Sequence, residues 1–335
     1  MFSLAVDVMG GDLGPHTAFK ACRKLLHKRP DVRLILLVTD DCIAGANHLF
    51  GRNDRVTIIQ CQSQIDPNAK PSRALRDGLT STMAQALHEV KEGRAQAVLS
   101  SGNTGALMAL SLSILGTLDG VDRPALATLL PTRDKPVLML DLGANLNVPN
   151  SLMMQFAAMG VCWTQQQMNC APSLGLLNVG KEASKGTERL KEMDTNLQTM
   201  LAEHYSGFCE GYDIFQGKLD VVVTDGFVGN VVLKASESLS NWLIEQIGDE
   251  FRRHWLRRWL WPLWYSAVTK IERKMSPARQ SGALLLGIDG MVVKTHGGSD
   301  VRTFFHALDY VLNQVERFDV EHYKQAVKNL QEKLK

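Results

Sequence analysis

Short apolar runs that end in polar or glycine-rich turns recur along this chain, and that recurrence most restricts its fold. The fullest case is VVVTDGFVGNVVLK, residues 221–234. A strand-like run ends in Thr-Asp-Gly, and a helix is predicted to begin near Gly229. Asp225, Asn230 and the helix N–H groups would then meet at one strand end, where open α/β sheets bind ligands and where a helix start suits phosphate. LAVDVMGGDLGPH (4–16), VLSSGNTGALM (98–108), VLMLDLGAN (137–145) and LGLLNVGKEASKG (174–186) repeat the idea. Each is weak alone. Five such exits in one chain are hard to read as plain loops.

Strands and helices alternate with spacers that suit a mostly parallel α/β sheet covered on both faces. Strands are expected near 4–8, 33–40, 55–60, 97–100 and 174–180, and in LDVVVTD. TLLPTRDKPVLMLDLG (128–143) reads as two strands around a turn. Helices are expected over 18–26, 71–92, 151–159 and 187–205, with an Ala/Leu-rich helix after the 97–100 strand running to about 115 and closing helices near 300–316 and 320–334. The 335 residues can bury a large core in one unit, 1–335, with soft lobes.

Apolar residues make up 45% and charged residues 21%, and the net charge is +2. No strong basic excess or known module points to nucleic acid. The six cysteines form no C-x-x-C pair, so they read as structural thiols in a reducing compartment. The start of the chain shows no basic lead before a long apolar run, so no export signal is expected. No uncharged apolar stretch is long enough to predict a spanning helix.

Residues 242–275 differ in texture. Four of the six tryptophans, Trp255, Trp259, Trp261 and Trp264, cluster within residues 255–264 of it, among several arginines. Phe251, Trp255 and Trp259 share i, i+4 spacing, as do Arg253 and Arg257, so a helix would set an aromatic stripe beside a basic one. Such a surface suits a membrane boundary or an acidic partner. A core helix with a solvated basic edge and a dimer contact are the other readings.

The chemistry-bearing residues point to anion handling. Gly10, Gly11 and Gly14 permit close backbone approach, and Asn103-Thr104 open another plausible anion seat. Neither run is a nucleotide fingerprint. Lys185 would pair with phosphate oxygens or remain a solvated surface lysine. His16 and His296 sit among glycines, and either suits proton movement. Asp12, Asp141 and Asp225 are candidates for orienting donors, binding metal or capping helices. No serine–histidine–acid order or nucleophile elbow is present.

The motifs VDVMGGDLGPH, SSGNTGALM, LDLGAN, FAAMG, VGKEASKG, VVVTDGFVGNVVLK and KTHGGSD, taken together, resemble the bacterial phosphate acyltransferase family of phospholipid synthesis known as PlsX. The resemblance runs from residue 4 to about 310. It implies a three-layer α/β/α sandwich, similar to phosphotransacetylases and to isocitrate and isopropylmalate dehydrogenases, with a helical protruding segment and a homodimeric state. It implies that inorganic phosphate attacks a long-chain acyl thioester of acyl carrier protein, and that acyl phosphate passes to a membrane glycerol-3-phosphate acyltransferase. It implies no cofactor and no metal, and a cytoplasmic protein peripherally bound to the inner face of the cell membrane. Lys185, Asn230, Asp225 and His16 become the catalytic candidates. Gly10, Gly11, Asp12, Asn103, Thr104, Asp141, Asn145, His296 and Ser299 become the substrate-binding set. Arg253, Trp255, Arg257 and Trp259 become the membrane or partner contact.

Phosphate needs orientation and charge screening more than a strong base. Lys185 and Asn230 would hold it, Asn103, Thr104 or Asn145 would stabilise the oxyanion, and His16 or His296 would protonate the thiolate. A decarboxylating dehydrogenase, a short-acyl phosphotransacetylase and a non-catalytic membrane scaffold are the rival readings. All of these site assignments expect the loops to gather on one rim of the sheet.

Overall fold

A computed structural model of the chain describes residues 1–253 and 282–333. Apolar β-rich runs become strands where the sequence alternates them with helices. The order is β1 (Phe2–Asp7), α1 (Pro15–Lys28), β2 (Val32–Thr39), α2 (Asp40–Phe50), β3 (Val56–Cys61), α3 (Pro71–Asp77), α4 (Thr82–Lys91), β4 (Ala97–Ser100) and α5 (Thr104–Ile114). Then follow β5 (Ala125–Leu130), β6 (Val137–Leu140), α6 (Asn150–Met168), β7 (Leu174–Leu177), α7 (Glu188–Met200), β8 (Tyr205–Cys209), α8 (Gly211–Ile214), β9 (Val221–Val223) and α9 (Gly226–Arg253). The described chain closes with β10 (Ala283–Leu286), β11 (Met291–Lys294), α10 (Val301–Arg317) and α11 (Val320–Lys333).

The strands form one sheet in the order β3-β2-β1-β4-β11-β10-β5-β6-β9-β7-β8. Alternate residues of each strand face opposite layers. Leu4 and Val6 of β1 join Phe19 and Leu25 of α1 and Leu308 of α10 in one buried cluster. Ala5 joins Met83 and Leu87 of α4 and Leu107 of α5 in the other. In β9, Val221 and Val223 face the first cluster and Val222 the second. Burial on both faces explains why the strands read as unbroken apolar runs. The expected three-layer α/β sandwich is therefore present.

The strand exits do not share one edge of the sheet. β3, β2, β1, β4 and β11 run parallel. The pairs β11–β10, β10–β5 and β5–β6 are each antiparallel. Three reversals leave β6, β9, β7 and β8, parallel to one another, pointing against the first set. The exits of β1, β4 and β11 thus lie on one edge, and those of β6, β9 and β7 on the other. This corrects the single-rim expectation. Helix α9 links the two regions: it starts at the exit of β9, and its Val232 and Leu233 pack on the same cluster as Met83 and Leu107.

Several element bounds also shift. The predicted helix over 71–92 is two helices. Gly78 ends the first by donating its N–H to Ala74 O, and Ser81 caps the second by accepting from Ala84 N at 3.2 Å. The charged helix at 187–205 stops at Met200, leaving strand β8, which the sequence pattern had hidden. α6 runs on to Met168 and ends at Asn169, whose φ of 53° stops it in the left-handed region. α9 starts at Gly226 rather than near Gly229.

No helix among the described residues is long and apolar enough to cross a membrane. The six cysteines are unpaired, and burial pushes the thiols of Cys22 and Cys162 up to about 12. Trp255, Arg257 and Trp259 lie outside the described residues, as does most of the 242–275 segment. Of Arg253, only its place at the end of α9 is described.

Candidate functional site

The exits of β1, β4 and β11 carry a row of polar side chains. Asp7 pairs in register with Ser100, and Ser100 with Lys294. Register partners on parallel strands project to the same face, here the face of α4, α5 and α9. Ser100 Oγ donates to Asp7 Oδ2 at 2.7 Å and accepts from Gly102 N at 3.1 Å. The turns beyond the row touch one another. A Cβ on Gly10 would lie 2.5 Å from Gly102 N, and one on Gly11 would lie 3.1 Å from Ser101 Oγ. Asp12 N donates to Gly297 O at 2.9 Å, tying the β1 exit to the β11 exit.

Lys294 is the electrostatic centre of this edge. Its ammonium donates to Ser101 O at 3.4 Å and to Thr295 O. Burial pushes its pKa down to about 8; Asp12 and Asp7 oppose that shift, and the charge of Lys234 on α9 adds to it. Asp7 is itself 1% exposed. Burial raises its pKa, against hydrogen bonds from Ser100, Thr82 and Met9 and the charge of Lys294.

The opposite edge is organised by Asp141. One carboxylate oxygen accepts from Leu126 N at 2.9 Å and Ala144 N at 3.1 Å. The other accepts from Asn145 N at 2.7 Å and Asn145 Nδ2 at 3.1 Å. Burial nonetheless raises its pKa. Asn145 Nδ2 also donates to Pro124 O at 2.8 Å, and Asn145 O accepts from Gly226 N at 3.0 Å. A Cβ on Gly229 would fall 1.8 Å from Asp141 O. Only glycine lets α9 lie this close to the β6 exit. Asn230 follows and rests against Gly143. Asp225 caps α9 by accepting from Val228 N at 2.9 Å and pairs with Arg189 Nη2 at 2.8 Å.

The sequence candidates therefore divide. Asp141, Asn145, Asp225 and Asn230 share the β6/β9 edge. Lys185 is on the neighbouring β7 loop, exposed, with its N–H bonded to Glu182 O. Gly10, Gly11, Asp12, Asn103, Thr104, His296 and Ser299 lie at the other edge. Asn103 caps α5 through Ala106 N at 2.9 Å, and its amide nitrogen donates to Pro67 O at 2.7 Å. Thr104 is the first residue of α5. Ser299 Oγ donates to His296 O at 2.6 Å and closes that turn. The ring of His296 accepts from Gly298 N at its Nδ1, so in the neutral ring the proton sits on Nε2. His16 is exposed and meets the ring of Phe19 edge-on. Among the described residues, no three His, Cys, Asp or Glu side chains gather to hold a metal.

Sequence reasoning passed over Lys294, Lys234 and Arg189. Lys294 had a signal: a lysine closing the apolar run MVV, in register with a polar strand end. Lys234 closes NVVLK in the same manner, one helical turn after Asn230, so the two share a face of α9. Arg189 had no local signal, because its partners Asp225 and Val148 are remote in sequence.

Comparison with known proteins agrees with this architecture. A phosphotransacetylase from Streptococcus pyogenes matches with a TM-score of 0.62 at 15% identity, covering 94% of each chain. A branched-chain phosphotransacylase from Enterococcus faecalis matches with a TM-score of 0.58 at 15% identity, covering 95% of this chain and 100% of its own. At that identity they establish the fold. In sequence, residues 2–318 match the family described as fatty acid synthesis protein. A phosphate acyltransferase of Nitrosococcus oceani is 40% identical over 324 residues, covering 96% of this chain and 95% of the relative. Its counterpart in Stutzerimonas stutzeri is 39% identical over 315 residues, covering 93% and 88%. With this fold and these exits, the chain belongs to the phosphate acyltransferase family of fatty acid and phospholipid synthesis and is a transferase.

Proposed function

We propose that the protein transfers a long-chain acyl group from acyl carrier protein to inorganic phosphate, releasing acyl phosphate and the free carrier protein. The observation that carries this reading is the Lys294 ammonium, held at Ser101 O where the exits of β1, β4 and β11 lie side by side. A cation so placed favours an anion beside it. Phosphate fits such a place. It is already nucleophilic at neutral pH and needs orientation and screening.

An oxygen of phosphate attacks the thioester carbonyl carbon, the tetrahedral intermediate collapses, and the C–S bond breaks. The thiolate takes a proton, for which His296 Nε2–H is the candidate at this edge. Lys185, exposed and without an ion-pair partner among the described residues, and Asn230 are the polar groups offered from the β7 and β9 side. The matched description, fatty acid synthesis, supports an acyl donor from that pathway. Exposed apolar residues along α9, Val231, Leu239 and Trp242, support contact with a second chain or a membrane surface.

The test is incubation with acyl carrier protein thioesters and labelled phosphate. Acyl phosphate should form, with free thiol released only when both substrates are present. Thiol release that does not need phosphate, or turnover of short coenzyme A thioesters alone, would refute this assignment.

A further inference from the structure

The loop at the β7 exit carries two lysines, Lys181 and Lys185, and the fold treats them differently. Lys181 Nζ is tied to Asp213 Oδ1 at 2.7 Å. Lys185 is exposed and pairs with no carboxylate among the described residues. Its stem lies over Gly180, where a Cβ would come within 3.0 Å of Lys185 Cγ. A long side chain loses much rotamer freedom when it holds a ligand. The backbone beneath it must therefore be fixed beforehand if it is to bind phosphate well.

Asn178 supplies that fixing. It follows β7 directly, is 7% exposed, and donates its N–H to Cys209 O at 2.8 Å, so its backbone belongs to the sheet edge. Its amide nitrogen donates to Gly180 O at 3.1 Å and to Lys185 O at 3.3 Å. One side chain thus joins both ends of the lysine loop. Gly186 closes over it with φ of 86°, and a Cβ there would fall 2.4 Å from Asn178 Oδ1. That oxygen is buried and without a partner, so the amide grips the loop through its nitrogen alone. Inside the loop, Lys185 N donates to Glu182 O at 2.9 Å. Beyond it α7 begins, where Arg189 donates to Asp225 Oδ2 at 2.8 Å and to Val148 O at 2.5 Å. The loop is therefore anchored to β7 at one end and to the β6 and β9 exits at the other.

We infer that Asn178 is the positioning residue for Lys185: it holds the Lys185 carbonyl, and with it the base of the side chain, where the ammonium can receive phosphate. Asn178 acts through the Lys185 backbone from a buried place, not on phosphate itself. The inference rests on the proposed acyl transfer to phosphate, with Lys185 as a phosphate contact.

A double-mutant cycle tests it in the full chain. Wild type, Asn178→Ala, Lys185→Ala and the double variant are assayed with acyl carrier protein thioester and labelled phosphate, at a temperature where all are folded. Asn178→Ala should raise KM for phosphate about tenfold, within the reach of one hydrogen bond to a charged group, with kcat held within about twofold. In the Lys185→Ala background the same substitution should change that KM by less than about twofold, because residues acting through one another are not additive. A merely structural anchor would cost the same factor in both backgrounds. Equal losses in both, or a wild-type KM in Asn178→Ala, would overturn the inference. Should Asn178→Ala not fold, Asn178→Ser takes its place in the cycle; failure of both to fold would make Asn178 structural and overturn it as well. A wild type that forms no acyl phosphate overturns the acyl-transfer reading and the inference with it. A wild type that forms it, with equal losses in the two backgrounds, overturns the positioning role alone.

Discussion

Replacing Asp141 by asparagine should unsettle the β6 exit without touching a substrate. The carboxylate is 0% exposed, and each of its oxygens accepts two hydrogen bonds. Asparagine keeps one acceptor oxygen and turns an NH₂ group toward two donors that had faced an oxygen. Two bonds are lost, and buried N–H groups are left facing a donor. At about 1–3 kcal/mol for each unsatisfied buried group, the loss is about 2–6 kcal/mol, and the Tm should fall by about 3–9 °C. The loop so anchored carries Asn145 O against Gly226 N and Gly143 against Asn230. Activity should therefore drop with stability, and a temperature low enough to keep the variant folded should restore part of it. Differential scanning calorimetry and steady-state rates provide both readings. An Asp141→Asn protein with wild-type Tm and a raised KM for phosphate would refute the reasoning, because the carboxylate would then be meeting substrate.

Lys294 releases its proton near pH 8 in the folded protein and near 10.5 at its usual value. The unfolded chain thus binds more protons in that window, and this residue makes stability rise with pH. Relative to Lys294→Met, the wild-type Tm should gain between pH 7 and pH 10, and a pH-independent difference would refute the assignment. Gly10→Ala would set a Cβ 2.5 Å from backbone Gly102 N, so urea unfolding should show a loss of about 1–3 kcal/mol; an unchanged midpoint would show that the exits can part freely. Lys185→Ala removes an exposed side chain with no ion pair among the described residues, so Tm should hold while KM for phosphate rises; unchanged kinetics would remove Lys185 from the site.

Much of the fold was legible because strand burial is a local property of composition. AVLS became β4 and the VVV run became β9, since each is buried on both faces and needs nothing from the distant sequence to be strand-like. Even the hairpin of β5 and β6 was readable from Pro131, Asp134 and Pro136. Its consequence was not. A hairpin reverses direction once, but whether that reversal separates the strand exits depends on which strands join the hairpin to the rest of the sheet. Here β10 and β11 are supplied from the far end of the chain. β8 was lost because YSGFC has no long apolar run, and its place at the sheet edge demands none.

The same asymmetry governs the site. A polar residue at a strand exit is visible in sequence; whether it is already committed to another group is not, because the partner arrives from elsewhere. Asn103 was attractive as a donor until Pro67 O took its amide. Asp141 was attractive as a ligand until four N–H groups from the β5 start and its own loop surrounded it. Ser101 carries the same polarity in the same kind of turn, yet its hydroxyl is left without a partner. Chemistry requires groups that the fold positions but does not satisfy. Among strand-exit residues, unmet hydrogen-bonding capacity points to Ser101 Oγ and Asn178 Oδ1 rather than to Asp141 and Asn145. That ordering depends on contacts between turns remote in sequence, a property no single motif contains.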